Sequence, residues 1–159
     1  NYLVVNKSNE TMPFSIGAHP AFAIDNNFSD YSLRFNKDDK FISFELENEQ
    51  FNNSFKEIST VKNTISLEYS LFENDALVFK HLNSNELTLL ENGQEVLSVQ
   101  FEGFPYLGIW TKPNAPYFCI EPWCGLADNV NHNGELSIKE GINLLEKDAT
   151  FKRTMTIRL

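Results

Sequence analysis

The sequence predicts an all-β protein, an antiparallel β-sandwich formed by a single domain over residues 1–159. Two observations indicate this fold: apolar and polar residues alternate along many short runs, and clusters of turn-forming residues separate the runs. Composition agrees, since 14 Phe and an aromatic share of 13% stand against only 7 Gly and 6 Pro, which favours packed β-structure over disorder. We expect about ten short strands and no long helix.

The alternating runs follow one another along the chain. In each, every second residue is apolar and lies on one face: Tyr31, Leu33 and Phe35 in YSLRFNK; Ile65, Leu67, Tyr69 and Leu71 in TISLEYSLF; Leu97, Val99 and Phe101 in EVLSVQF; Met155, Ile157 and Leu159 in TMTIRL. Antiparallel sheets, which bury one face and leave the other in water, require this pattern.

The turns between the runs are predicted clearly at one place and poorly at another. Asn92 and Gly93, between ELTLLE and QEVLSVQF, predict a tight hairpin. The least regular stretch is ENEQFNNSFKEIST, where we expect a short helical turn or an irregular loop.

Charge and cysteine usage narrow the class of function. The net charge of −9 disfavours nucleic acid and anionic membranes as partners, and no apolar run approaches the roughly 20 residues of a membrane span. Cys119 and Cys124 are expected to be reduced thiols of a cytoplasmic protein, because C-x4-C is not a usual metal spacing and no second pair completes a site. Nucleotide-binding glycine motifs are absent from the sequence. We therefore predict a small ligand that is neutral or weakly charged, no metal and no cofactor.

One histidine stands out in SIGAHPAF, residues 15–22. Gly17 permits a close backbone approach, and Pro20 fixes the chain after His19 and disfavours a helix before it. An imidazole held rigidly at a strand end suits a general acid or base. The alternative is a buried histidine that donates to a backbone carbonyl.

A carboxylate stands out in YFCIEPWCG, residues 117–125. Glu121 lies in a largely apolar strand, where burial is costly unless the group is paired or functional. Desolvation would raise its pKa toward the range of a working general base, although pairing with an arginine would also explain it. Trp123 offers a flat apolar face of the kind that packs against sugar rings. For Asp128 we expect a role in capping the loop rather than a second catalytic carboxylate.

Taken together, the two stretches resemble the aldose 1-epimerase, or galactose mutarotase-like, family, in its diverged bacterial branch. The most specific part is FPYLGIWTKPNAPYFCIEPWCGLAD, followed by MPFSIGAHPAF, and KEGINLLEKDATFKRTMTIRL is similar to the last strands of the family. The resemblance covers essentially the whole chain, although its middle third is matched by pattern more than by motif.

The resemblance implies a β-supersandwich and a mechanism without a cofactor. His19 would be the general acid toward the ring oxygen of a hexose, and Glu121 the general base toward the C1 hydroxyl. The ring would open to the aldehyde and reclose as the other anomer. Asp75 in LFENDALVF is the candidate for binding sugar hydroxyls. Trp110 would line the pocket or belong to the core.

The family also has an earlier H-G-x-x-R type motif, which this sequence lacks. We therefore expect residues 1–159 to be the C-terminal part of a longer protein, with a sandwich that is incomplete at its N-terminus.

Two alternatives to the hexose epimerase stay open. One is a hexose-6-phosphate 1-epimerase, which would need cations near the phosphate, whereas the sequence contains only three arginines: Arg34, Arg153 and Arg158. The other is a non-catalytic carbohydrate-binding or sensing protein of the same fold. The enzyme hypothesis gains most support if His19 and Glu121 line one open cleft, about the width of a sugar ring apart.

Overall fold

The structure is a computed structural model that describes residues 1–37 and 40–159. Within them the chain forms sixteen short strands and three 3-10 helices, at Phe28–Asp30, Tyr69–Phe72 and Leu136–Ile138. The strands are β1 Tyr2–Val5, β2 Met12–Phe14, β3 Ile16–Gly17, β4 Ala21–Ala23, β5 Tyr31–Phe35, β6 Ile42–Glu47, β7 Gln50–Glu57, β8 Thr64–Ser66, β9 Leu77–Phe79, β10 Glu86–Glu91, β11 Gln94–Gln100, β12 Tyr106–Trp110, β13 Tyr117–Cys124, β14 Asn143–Leu145, β15 Thr150–Arg153 and β16 Thr156–Arg158.

Two larger sheets contain most of these strands. A five-stranded sheet has the order β16-β11-β10-β5-β8, and a seven-stranded sheet has the order β3-β13-β12-β9-β6-β7, with β4 also pairing with β13. Two-stranded sheets join β1 to β15 and β14 to β2. The strand pairs are antiparallel throughout the described chain, which confirms the predicted all-β antiparallel fold. None of the helices in the described ranges is long and apolar enough to cross a membrane.

The main core lies between the two larger sheets. The five-stranded sheet contributes the buried side chains of Leu33 and Leu87, and the seven-stranded sheet contributes Phe79, Ile109 and Phe118. Each fully buried apolar side chain of this size stabilises the fold by about 1.5–3 kcal/mol. Residues alternate between faces along each strand. Every second side chain of the seven-stranded sheet therefore lies on the face that points away from this core.

The predicted alternation is confirmed in the strands of the sheet centre. In β5, Tyr31, Leu33 and Phe35 are buried while Arg34 is exposed. In β11, Leu97 and Val99 are buried, and Phe101 directly after the strand is buried too. These strands have neighbours on both sides, so one face must pack against the core.

Two runs depart from the predicted pattern at the edges of the five-stranded sheet. In TISLEYSLF the strand ends at Ser66, and Tyr69 turns into a 3-10 helix where its ring stacks on Phe28 at 4.3 Å between centroids. In TMTIRL, Ile157 is 41% exposed and Leu159 is fully exposed, because β16 is an edge strand. Local periodicity does not show which strands lie at an edge.

The expectation for ENEQFNNSFKEIST was wrong. The stretch forms most of the β6–β7 hairpin, and β7 alone is eight residues long. Since β7 is the outer strand of its sheet, only Phe51 is fully buried and Phe55 is exposed. A strand with so few buried residues lacks the alternation by which it could be recognised.

The Asn92–Gly93 hairpin is confirmed between β10 and β11, with φ of 48° and 80° at the two turn residues. A Cβ at Gly93 would meet no atom within 4 Å, so the substitution Gly93→Ala adds only backbone strain. We expect it to lower the free energy of unfolding by about 1–2 kcal/mol, measured by urea denaturation. Gln94→Ala, at the neighbouring exposed position, is the control. Equal stability of the two variants would contradict the turn geometry.

Candidate active site

His19 and Glu121 lie directly across from each other on neighbouring strands. On β13, Trp123 pairs with Gly17 of β3, and Cys119 pairs with Ala21 of β4. The register between these two pairs places His19 across from Glu121. The Ala18 amide donates to the Pro122 carbonyl at 3.0 Å, which keeps the chain against β13 where β3 ends. Pro20, which has no amide hydrogen, separates β3 from β4.

The two side chains meet on the face of the sheet that points away from the main core. Nε2 of His19 lies 3.4 Å from Oε1 of Glu121. The His19 side chain is 64% exposed, whereas that of Glu121 is only 6% exposed. Cross-strand neighbours have Cβ atoms about 4.5–5.5 Å apart, which explains the direct contact. The structure thus brings both residues to one cleft but not to the expected separation of a sugar ring.

An open pocket of about 500 Å³ begins at this pair. It is lined by Ser15, Ile16, Gly17, Ala18, His19, Leu46, Phe51, Glu121, Trp123, Gly125, Leu126, Ala127 and Lys139. Ligand pockets commonly measure about 300–1,000 Å³ and combine an apolar lining with a few polar groups. This pocket has both properties.

The indole of Trp123 forms part of the pocket and lies across two glycines. A Cβ at Gly17 would be 2.7 Å from Cδ1 of the indole, and a Cβ at Gly108 would be 2.4 Å from Cζ2. Gly108 of β12 pairs with Glu121 of β13. Glycine within a strand often marks such a close approach, so these two residues create the space that the indole occupies beside Glu121.

The pKa of Glu121 is raised above its ordinary value, chiefly because burial penalises the charged carboxylate. The charge of His19 and a hydrogen bond from the Trp123 side chain oppose this rise, and the charge of Asp75 adds to it. Burial therefore raises the pKa of Glu121, as the sequence predicted. A carboxylate with a raised pKa is a better proton acceptor near neutral pH than an ordinary one.

Asp75 and Trp110 lie outside the pocket lining. Oδ1 of Asp75 accepts a hydrogen bond from the Ala76 amide at 2.6 Å, and the residue borders a neighbouring polar cleft. Its link to the site is its charge, which acts on Glu121. The half-buried Trp110 ring lies edge-on to the His19 ring at 6.4 Å between centroids, so it supports the imidazole from outside the pocket.

Two ion pairs lie at or near the pocket lining, one formed by Lys139 and one by Lys80. Lys139 donates to the Asp128 carboxylate at 2.6 Å, and this contact lowers the pKa of Asp128. The buried Nζ of Lys80 contacts both Glu140 carboxylate oxygens at 2.9 Å. It also lies 4.1 Å from the ring centroid of Phe51, which lines the pocket. The favoured loop role of Asp128 fits this arrangement.

Sequence reasoning did not identify Lys139 or Leu126 as part of the site, and it set aside a pairing of Cys119 or Cys124 with His19 because no local charge pattern indicates a lowered thiol pKa. Lys139 and Leu126 come from irregular segments after β13, whose return to the pocket has no local sequence signal. Cys119 could have been recognised, because it lies two residues before Glu121 and so shares its face of the strand.

Comparison with known proteins identifies related chains of similar fold. Two curated proteins of Lactococcus lactis subsp. lactis, the plasmid and chromosomal forms of Protein LacX, are 29% identical over 170 residues, which cover 96% of this chain. A galactose mutarotase related enzyme from Lactobacillus acidophilus is 30% identical, with a TM-score of 0.85 over 98% of this chain. This confirms the resemblance to the aldose 1-epimerase-like family.

A second mutarotase-like structure, from Lactobacillus casei, shares the fold with a TM-score of 0.89 and 24% identity. The sandwich seen here is thus a galactose mutarotase-like fold. The chain spans about half the length of its relatives, with 54% of each LacX protein and of the Lactobacillus acidophilus enzyme covered. No family model matches the chain.

The raised pKa of Glu121 predicts a pH-dependent effect of Glu121→Gln on stability. The folded protein retains this proton more readily than the unfolded chain, so protonation favours folding below the unfolded pKa of about 4.3. That contribution is lost as pH rises through the folded pKa. We therefore expect Glu121→Gln to have a higher Tm than the parent protein at pH 7.5, and the difference to shrink toward pH 4. Thermal unfolding at both pH values measures it, with Glu73→Gln as an exposed control. A constant difference would contradict the raised pKa.

The close approach at Gly108 predicts coupling to Trp123. Gly108→Ala should lower stability by about 1–3 kcal/mol through overpacking. Trp123→Phe removes the benzene edge that the new methyl group would strike. In a double-mutant cycle by urea denaturation, the two costs should therefore sum to more than the cost of the double variant. Additive costs would show that the indole does not lie on Gly108.

Proposed function

We propose that the protein carrying this chain is an aldose 1-epimerase that interconverts the α and β anomers of an unphosphorylated hexose. The observation that carries the proposal is the meeting of an exposed imidazole, His19, and a buried carboxylate, Glu121, at one pocket beside the indole of Trp123. The names of the related proteins, which include a galactose mutarotase related enzyme, support the same reaction class.

The reaction divides between the two groups. Glu121 accepts the proton of the C1 hydroxyl, while His19 donates a proton to the ring oxygen as the bond between C1 and that oxygen breaks. The product is the open-chain aldehyde. Rotation about the C1–C2 bond and reclosure on the other face of the carbonyl give the other anomer and return both protons. One proton is taken and one is delivered in each direction, so the reaction is balanced without an oxidant or a cofactor.

The environments of the two groups suit these roles. Burial raises the pKa of Glu121, which strengthens it as a base, and the exposed His19 has room to move from Glu121 and admit a sugar between them. Trp123 would pack against the apolar C–H face of the ring. Each positioned acid or base typically contributes about 10²–10⁴-fold to the rate.

The charge of the pocket favours a neutral sugar over a sugar phosphate. Among the described residues that line it, Lys139 is the one lysine or arginine, and its charge is paired with Asp128 at 2.6 Å. A phosphate would have to compete with that carboxylate. Asp75 acts on the reaction through its charge on Glu121, and Trp110 through its contact with the His19 ring. Two buried free thiols are consistent with a reducing compartment such as the cytoplasm.

Polarimetry of freshly dissolved α-galactose or α-glucose tests the proposal with the full protein that carries this chain. The optical rotation should reach equilibrium faster with the protein than without it. Glu121→Gln and His19→Asn should each slow the catalysed rate by about 10²–10⁴-fold, while Glu73→Gln, at an exposed position away from the pocket, should not change it.

Other outcomes decide between the alternatives. If calorimetry shows sugar binding but the protein does not accelerate mutarotation, it is a carbohydrate-binding protein and not an epimerase. Acceleration of glucose 6-phosphate mutarotation alone would establish the phosphosugar epimerase. Activity that survives Glu121→Gln and His19→Asn would overturn the assigned roles.

A further inference from the structure

The thiol of Cys119 lies beside the proposed acid and base. Cys119 and Glu121 are two residues apart on β13 and project from the same face, while His19 reaches over from the neighbouring chain segment. The His19 nitrogen, the Cys119 sulfur and a Glu121 oxygen all lie within 4.8 Å of one another. The proposed epimerase reaction uses two of these groups and leaves the thiol without a role.

The three groups match the donor types that zinc prefers. Imidazole nitrogen, thiolate sulfur and carboxylate oxygen bind Zn²⁺ at about 2.0–2.3 Å. In a tetrahedral site this places neighbouring donor atoms roughly 3.4–3.6 Å apart. The separation of 3.4 Å between Nε2 of His19 and Oε1 of Glu121 meets this requirement without movement, and the Cys119 sulfur lies within 4.8 Å of both groups.

Charge and access also suit a divalent cation. Burial and the charge of Glu121 raise the pKa of the Cys119 thiol to about 11, so Zn²⁺ binding must release the thiol proton to solvent, as it does at any coordinating thiol. The resulting thiolate and the carboxylate carry two negative charges, which balance Zn²⁺ with a neutral imidazole. Asp75 adds a further negative charge close enough to act on Glu121. Cys119 and Glu121 are buried, but the exposed His19 connects the group to solvent. Three protein ligands leave the fourth tetrahedral position of Zn²⁺ for water.

We propose that His19, Cys119 and Glu121 form a three-ligand site for Zn²⁺, and that Zn²⁺ bound there blocks the pocket's acid and base. The sulfur ligand selects borderline and soft cations, so Mg²⁺ and Ca²⁺, which take oxygen ligands, should not bind. The site was not expected from the sequence, since only the pairing of β13 with its neighbour brings the imidazole to the thiol. The inhibitory part rests on the proposed function, whereas the binding part does not.

Cobalt spectroscopy tests binding without any enzyme assay. Co²⁺ added to the purified full protein should give the near-ultraviolet charge-transfer band of a cobalt–thiolate bond. Zn²⁺ should remove the band by displacement, and Mg²⁺ should not. Calorimetric titration with ZnCl₂ should show one site. Absence of the cobalt band in the parent protein would overturn the proposal, as would a band that Zn²⁺ cannot displace.

Two cysteine variants provide a matched comparison. Cys119→Ala should abolish the cobalt band and weaken Zn²⁺ binding at least tenfold, since even residues behind the ligands typically contribute about 10–100-fold to affinity. Cys124→Ala should retain both, because Cys124 lies on the opposite face of β13 within the main core. His19→Ala, at an exposed position where folding is not at risk, should also lose Zn²⁺ affinity. Retention of the band in Cys119→Ala would overturn the site.

Inhibition is measured separately by polarimetry, each variant being compared with its own metal-free rate. Zn²⁺ should slow mutarotation by the parent protein in parallel with site occupancy, and EDTA should restore it. Binding of Zn²⁺ without any catalysed mutarotation would refute the proposed function and leave the metal site intact. Catalysed mutarotation that continues with the site filled would refute the inhibitory role.

Discussion

The pairing of β13 with the chain on either side of it determines the rest of the site. β13 is hydrogen-bonded to β12 along one edge and to β3 and β4 along the other. Its even-numbered residues Phe118 and Ile120 point into the main core, while the odd-numbered residues Cys119, Glu121 and Trp123 project from the opposite face. This alternation fixes which groups can meet. A shift of one residue in the register would turn the carboxylate into the core and a core side chain into the pocket.

Two glycines on the strands beside β13 shape the site because they have no side chain. Gly17 and Gly108 lie on opposite sides of Trp123, and neither leaves space for a side chain. The indole therefore rests against the backbone of two strands beside Glu121. The carboxylate is covered on that side, and its burial, which raises its pKa, follows from the same arrangement. Packing and acid–base chemistry thus have a common origin in the glycine positions of this sheet.

The sequence was sufficient for the fold class, and it singled out His19 and Glu121 as candidates without giving their relative geometry. Alternation reveals strands that bury one face between two neighbours, as in β5, and fails for the edge strand β7. Tyr69 leaves its predicted strand because of stacking on Phe28, a contact between distant segments. Local context and family resemblance made His19 and Glu121 the candidate acid and base. Their direct contact depends on strand register, which periodicity does not contain, and the same holds for the position of Cys119.

The unequal exposure of the two facing side chains also governs how protons travel to and from the site. Molecules dissolved in the bulk can exchange a proton with the imidazole in one collision, because most of its ring faces water. The carboxylate lies behind it, shielded by the sheet, and its proton must pass through the imidazole or through whatever fills the pocket. The imidazole therefore exchanges its proton directly with the bulk solution, whereas exchange at the carboxylate depends on what occupies the pocket.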